Sequence, residues 1–169
     1  MNSITRLVAN AVGLVFMLTV TPSWGQPVLN PTVSDSFRNT AGGTTALNTC
    51  LGKTVAPCSP VENTAFGYGA LSDNTSGQDN TAMGINALSS NTPGSQNTAI
   101  GAATLGSNTT GRFNTACGAL ALIVNTTGSL NTASGAEPLT GNNGTANTAS
   151  GYYALRNNST GAANVATWR

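Results

Sequence analysis

The 169-residue sequence contains no histidine, and only 7% of its residues are charged and 5% aromatic. Without histidine the chain has no Ser-His or Cys-His pair, which are the common arrangements for nucleophilic catalysis. An ordinary globular domain has about 25% charged residues and a larger supply of bulky apolar side chains. A conventional hydrophobic core is therefore hard to build from this composition.

Acidic residues are also too few and too scattered to suggest catalysis or metal binding. They are Asp35, Glu62, Asp73, Asp79 and Glu137. Only Asp73 and Asp79 lie near each other, and both fall in or beside turns, where solvated carboxylates are common. The sequence lacks a phosphate-binding glycine loop and the repeated aspartate of calcium-binding nonapeptides. We therefore expect no enzyme activity, no cofactor and no metal site.

Long hydrophobic runs are missing except at the N-terminus, where residues 7–20 are almost wholly apolar after Arg6. This run of about 14 residues is shorter than the roughly 20 that an ordinary transmembrane helix needs. Small residues at Ser23 and Gly25 favour cleavage before Gln26. We predict that residues 1–25 are a signal peptide and that the mature chain, 26–169, is secreted or at the cell surface without a transmembrane segment. An uncleaved membrane anchor is the alternative.

The mature chain has no excess of either charge. Removal of Arg6 leaves five basic residues against the five acidic ones. A neutral chain has no bulk electrostatic attraction for nucleic acid or for anionic lipid. We therefore expect no nucleic-acid partner.

Cysteine is scarce, with three residues in the whole chain. Cys50 and Cys58 lie eight residues apart and could form a local disulfide in an exported protein. Two unpaired thiols are the alternative, because the sequence does not reveal the Cα separation. Cys117 is predicted to be a small buried hydrophobe, since no cation or histidine lies nearby in sequence to activate it.

What the sequence does contain is a repeat. Asn-Thr-Ala starts at Asn39, Asn63, Asn80, Asn97, Asn114, Asn131 and Asn147, and Asn-Val-Ala starts at Asn164. From Asn63 onward the spacings are 17, 17, 17, 17, 16 and 17 residues. Helical repeats need about 33 residues or more, so this period indicates one coil of an all-β parallel solenoid or roll.

Each copy has two apolar patches separated by polar turns, and each patch is predicted to form a short strand. A leucine recurs in the second patch, where stacked coils would bury it against the leucines of their neighbours. We predict a core of Leu71, Leu88, Leu105, Leu122, Leu139 and Leu155, together with Phe66, Met83 and Ile100 from the first patch. Because smaller residues replace these three in later copies, the core is expected to taper.

Asparagine and glycine recur in the polar turns, as in Asn108 to Gly111. Asparagine side chains that stack in register can form amide ladders. The copy at Asn131 is one residue short, and its turn at 142–145 is expected to absorb the deletion. We divide the mature chain into an N-terminal cap over 26–62, with a degenerate first repeat and a cysteine-containing insertion, and the repeats over 63–169.

Asn-Thr-Ala-Met-Gly at Asn80 to Gly84 and Asn-Thr-Ala-Ile-Gly at Asn97 to Gly101 resemble the YadA-like head repeats of trimeric autotransporter adhesins. The resemblance spans Asn39 to Asn164. It implies a left-handed parallel β-roll, three chains packed side by side, and a head that binds host or abiotic surfaces. The chain departs from that family in its longer coil and in having neither a heptad stalk nor a C-terminal membrane β-segment after Asn164.

The leading functional hypothesis is therefore an exported, adhesin-like homotrimeric rod whose Asn- and Thr-rich faces attach to a surface ligand. The alternatives are a subunit of a self-assembling extracellular filament, because open solenoid ends can template strand addition, and a fragment of a phage-type tail-fibre shaft. Ice binding by a threonine array is the weakest hypothesis, because the repeat contains no regular Thr-x-Thr pair. The period alone also allows a monomer of either handedness.

Overall fold

The computed structural model describes residues 33–34, 38–47 and 60–168, which form a β-solenoid with one short strand in each coil. The strands are β1 (Val33–Ser34), β2 (Thr40–Gly42), β3 (Thr64–Phe66), β4 (Thr81–Met83), β5 (Thr98–Ile100), β6 (Thr115–Cys117), β7 (Thr132–Ser134), β8 (Thr148–Ser150) and β9 (Val165–Thr167). No helix occurs in these three ranges. The predicted all-β solenoid with coils of about 17 residues is confirmed.

The strands form one sheet in the order β1 to β9. From β2 onward all pairs are parallel and in register, so that alanine stacks on alanine and, as far as β8, threonine on threonine. In the last pair Thr148 stacks on Val165. The register also holds between β2 and β3, although the asparagines that precede these strands, Asn39 and Asn63, are 24 residues apart. The additional residues of this coil therefore do not disturb the stack. β1 differs because it pairs antiparallel with β2 and so covers the N-terminal edge of the parallel sheet.

The second apolar patch forms a turn rather than the predicted second strand. Its leucines have left-handed backbones, with φ between 49° at Leu139 and 53° at Leu122. A strand cannot contain such a residue, because strands need a strongly negative φ. Hydrogen bonds between coils continue here all the same, as from the Leu88 N–H to the Thr104 carbonyl at 3.0 Å.

Left-handed backbone recurs at four positions of every complete coil, as at Gly101, Ala103, Leu105 and Phe113. At the glycine position φ is 108° to 136°, a region closed to residues that carry a Cβ. The other three positions are occupied mostly by non-glycine residues, each of which costs about 1 to 2 kcal/mol in this conformation. Stacking must offset that cost, so a single coil is not a stable unit.

The interior consists of alanine, leucine and asparagine. The central alanine of each strand from β3 to β8 is at most 1% exposed, and Leu71, Leu88, Leu105, Leu122 and Leu139 are fully buried. Leu155, in the last complete coil, is only partly buried. Twelve asparagines are also buried among the described residues. Since buried amides are costly unless they are hydrogen-bonded, these side chains need internal partners.

The first set of asparagines forms a continuous ladder beside the strands, which we call the strand-side ladder. At a typical rung, Asn97 donates from its backbone N–H and from Nδ2 to Oδ1 of Asn80, at 3.0 and 3.2 Å. It donates a second Nδ2 hydrogen to the Gly111 carbonyl at 2.9 Å. The ladder comprises Asn39, Asn63, Asn80, Asn97, Asn114, Asn131, Asn147 and Asn164.

A second, turn-side ladder comprises Asn74, Asn91, Asn108, Asn125, Asn142 and Asn158, one from each polar turn. Asn108 donates to Oδ1 of Asn91 at 2.8 Å and to the Gly111 carbonyl at 3.1 Å. That carbonyl also accepts from Asn97, so each turn glycine joins the two ladders. The predicted amide ladder is confirmed, and the strand-side ladder accompanies it.

The short coil interrupts the turn-side ladder. Asn142 donates to its own Gly144 carbonyl at 3.0 Å and makes no bond to Asn125. Asn125 Oδ1 is in consequence the one buried side-chain oxygen or nitrogen in the described ranges without a hydrogen-bond partner. The neighbouring Thr126 N–H bonds to the side-chain oxygen of Asn143 at 2.6 Å. The turn therefore absorbs the missing residue, but at the cost of one unsatisfied amide oxygen.

Candidate interaction surface

The strand side of the solenoid presents a regular outer surface, which we call the strand face. In each three-residue strand the central alanine points inward, so the two flanking side chains point outward. The first flanking position forms a column of threonines, half-buried at Thr64, Thr81 and Thr98 and exposed at Thr115 and Thr132. Because the strands are in register, this column follows the axis of the rod.

The second flanking position changes character along the rod. Its first members are Phe66, which is half-buried, Met83, which is 44% exposed, and Ile100, which is 42% exposed. Cys117 follows and is also exposed. We call these four side chains the apolar column. Beyond it the same position is occupied by Ser134, Ser150 and Thr167, all exposed.

The prediction that Phe66, Met83 and Ile100 belong to the core is wrong for the single chain, and so is the prediction that Cys117 is buried. In a three-residue strand, side chains alternate, and here the central alanine is the one that faces inward and is buried. The larger neighbours therefore face outward. The expected taper of the core is also wrong, since the interior keeps alanine and leucine throughout.

Charged residues in the described part of the chain form two ion pairs on the surface. Arg38 contacts Glu62 at 2.6 Å and Arg156 contacts Glu137 at 3.5 Å. Asp73 and Asp79 are exposed. In the described ranges, no three histidine, cysteine, aspartate or glutamate side chains lie close enough to hold a metal ion.

Several predicted features fall outside the described residues. They include the signal peptide at 1–25, Asp35, and the Cys50 and Cys58 pair, whose disulfide stays a prediction. Across residues 33–34, 38–47 and 60–168, the search for a helix long and apolar enough to span a membrane finds none.

An exposed aromatic group at the C-terminal end of the rod was not anticipated from the sequence. The rings of Tyr152 and Tyr153 stack with centroids 3.8 Å apart, and the Arg156 guanidinium lies 4.2 Å from the Tyr153 ring centroid. Glu137 pairs with Arg156 at 3.5 Å. We call these four residues the aromatic patch. The adjacent tyrosines, in a chain with so few aromatics, were the signal that could have located it.

A side-chain hydrogen bond with Tyr153, followed by desolvation, raises the pKa of Tyr152 above its usual value. The Tyr152 phenol is therefore neutral at physiological pH. It can both donate and accept a hydrogen bond.

Comparisons of the chain with protein-family models, with curated proteins and with solved structures found no match. The resemblance to adhesin head repeats consequently remains a hypothesis based on the repeat residues.

Proposed function

We propose that this chain is an exported structural and binding module, an adhesin-like rod that packs side by side with copies of itself along the strand face. The observation that carries the proposal is the apolar column. Phe66, Met83, Ile100 and Cys117 form a continuous line on consecutive coils, although every other exposed position of these strands is threonine. Contiguous exposed apolar surface is uncommon on monomeric proteins and often marks the surface on which proteins associate.

The regular register favours a second copy as the partner of this face. If identical rods pack around an axis parallel to their own, each coil meets the same coil of its neighbours. The apolar half of the face then contacts apolar side chains, and the half with Ser134 and Ser150 contacts hydroxyl groups. An unrelated partner would need to reproduce this change along its length. The resemblance to adhesin heads supports an assembly of three chains.

The filament alternative receives less support from the fold. End-to-end growth requires strand edges that can pair with the next copy. β1 already occupies the N-terminal edge by pairing antiparallel with β2. A preceding copy would have to displace it before stacking on Thr40–Gly42.

The test is the absolute mass of residues 26–169 by multi-angle light scattering, compared with that of two single variants. Ile100→Glu introduces a charge in the apolar column, whereas Ile85→Glu alters an isoleucine that lies outside the strands and is 59% exposed. We expect a three-chain mass for the wild type and for Ile85→Glu, and a single-chain mass for Ile100→Glu. A monomeric wild type, or assembly that persists in folded Ile100→Glu, contradicts the proposal.

Cys117 provides an independent readout, because it lies on the same column and is a free thiol. In side-by-side copies the Cys117 residues approach one another, so mild oxidation should give a covalent dimer through this residue. Peptide mapping identifies the Cys117 to Cys117 link and distinguishes it from links through Cys50 or Cys58. The Ile100→Glu variant should give little of this product.

A further inference from the structure

The rings of the aromatic patch lie outside the interior of the solenoid. In its coil the inward positions are already occupied by Ala149, Ala154 and the partly buried Leu155. Tyr152 and Tyr153 are 53% and 36% exposed. At the position of Tyr152 the three preceding coils have alanine, at Ala102, Ala119 and Ala136. Tyr68 of the first complete coil occupies the same position, but only in the last complete coil does a second aromatic residue follow it, at Tyr153.

One of these rings also occupies an unfavourable backbone conformation. Tyr153 has φ of 59°, and the first complete coil has glycine, Gly69, at the same position. A left-handed backbone is rare for bulky residues. The conformation is maintained by hydrogen bonds from Tyr153 N–H to the Ala136 carbonyl at 3.2 Å and from Arg156 N–H to the Tyr153 carbonyl at 3.1 Å. The rings are thus presented on a rigid backbone, which limits the entropy lost when a ligand binds.

From these features we propose that the aromatic patch is a binding site for neutral carbohydrate, and that it supplies the ligand class of the proposed binding module. Aromatic rings carry a negative face, which attracts the weakly positive C–H groups on the flat side of a pyranose ring. The Tyr152 hydroxyl, the Arg156 guanidinium and the Glu137 carboxylate supply hydrogen-bond donors and acceptors for sugar hydroxyls.

The charges of the patch favour a neutral ligand over an anionic one. Arg156 is paired with Glu137, so the patch presents one cation and one anion rather than a basic surface. Nucleic acids and anionic glycans need several unpaired cations. A protein partner needs about 600 Å² or more on each side, whereas this patch consists of four residues.

The experiment uses residues 26–169 and two neutral β-linked probes, cellohexaose and chitohexaose, with polygalacturonate as the anionic comparison. Saturation-transfer NMR detects contact and calorimetry measures the Kd. Tyr152→Ala removes one ring of the stacked pair. Tyr68→Ala is the matched control, because Tyr68 occupies the same position of the first complete coil, is 58% exposed and is followed by Gly69 rather than by a second aromatic residue.

We expect at least one neutral probe to bind, Tyr152→Ala to weaken that binding tenfold or more, and Tyr68→Ala to leave it unchanged. The inference is overturned if the folded wild type binds neither neutral probe, or if Tyr152→Ala binds as tightly as the wild type. It is also overturned if Tyr152→Ala lowers the mass of the assembly, because the patch is then a contact between copies.

The light-scattering mass of the same samples separates this inference from the proposed assembly. A three-chain mass without sugar binding refutes the carbohydrate site alone. A monomer that binds sugar through Tyr152 refutes the side-by-side assembly alone.

Discussion

The strand side and the turn side of each coil are built from the same asparagine chemistry but tolerate change differently. The strand-side ladder continues past the additional residues before Asn63 and through the 16-residue coil at Asn131. The turn-side ladder breaks at that same coil, where Asn125 Oδ1 has no partner. On the strand side each asparagine also receives a backbone N–H and thereby determines the register. On the turn side such a backbone N–H comes from the glycine of the same turn, as from Gly77 to Asn74 Oδ1 at 3.1 Å. It does not determine the register between coils, so the turn can lose a residue.

The largest effect is expected for glycine substitution where the backbones of successive coils touch, compared with a glycine beside open space. A methyl group at Gly118, where φ is +125°, collides with the Gly135 carbonyl of the next coil. At Gly141, in the turn of the short coil, the nearest atom to such a methyl is the Arg156 carbonyl oxygen at 3.4 Å, an ordinary contact. Gly118→Ala should lower the free energy of unfolding by about 3 kcal/mol or more, and Gly141→Ala by less than about 0.5 kcal/mol. Urea titration followed by circular dichroism, at one protein concentration, measures both, and equal losses would contradict the comparison.

A smaller difference is expected between the two ladders themselves. Asn97→Ala leaves the Asn114 backbone N–H without its acceptor and removes three further side-chain bonds, to Asn80, Gly111 and the Asn114 amide. Asn108→Ala removes only bonds of side-chain amides, to Asn91, Gly111 and Asn125. Since a buried orphaned group costs about 1 to 3 kcal/mol, we expect a loss of about 3 kcal/mol for Asn97→Ala and about 2 kcal/mol for Asn108→Ala. Amide hydrogen exchange supplies the second readout, because the Asn114 N–H should lose protection only in Asn97→Ala.

The smallest effect is expected from repair of the short coil. Insertion of one threonine between Asn143 and Gly144 restores a full-length turn, so that the Asn142 amide can reach Asn125 Oδ1. We expect a gain of about 1 kcal/mol, the typical net value of one hydrogen bond. The same insertion between Thr127 and Gly128 lengthens an intact turn and should destabilise the chain. A loss of stability in both variants would show that the short turn is already the better fit.

The sequence was sufficient to predict the solenoid, its period, the leucine column and the turn asparagine ladder, because each depends on residues that repeat in strict phase. It was not sufficient to predict that the leucine patch is a turn. The left-handed φ of Leu88 arises from stacking against neighbouring coils and not from any preference of leucine. The sequence interpretation also misplaced Met83 and Ile100. Their size suggested the core, but only the central alanine of each strand faces the interior.

The aromatic patch was missed for a related reason. The repeat is defined by positions that keep the same residue from coil to coil. Tyr152, Tyr153 and Arg156 instead differ from the residues at the same positions of the three preceding coils. Their proximity follows from the turn between them, which brings the Arg156 guanidinium over the Tyr153 ring. Only the three-dimensional arrangement reveals the stacked pair.

The amide-rich interior has a consequence for the temperature dependence of this protein. Among the described residues the buried side chains include twelve asparagines and twelve alanines against six leucines. Exposure of apolar surface raises the heat capacity on unfolding, while exposure of polar surface lowers it. Unfolding this solenoid is therefore expected to raise the heat capacity less, per residue, than unfolding a globular domain with an aliphatic core. We therefore expect a flatter stability curve, so that the rod loses little stability on cooling.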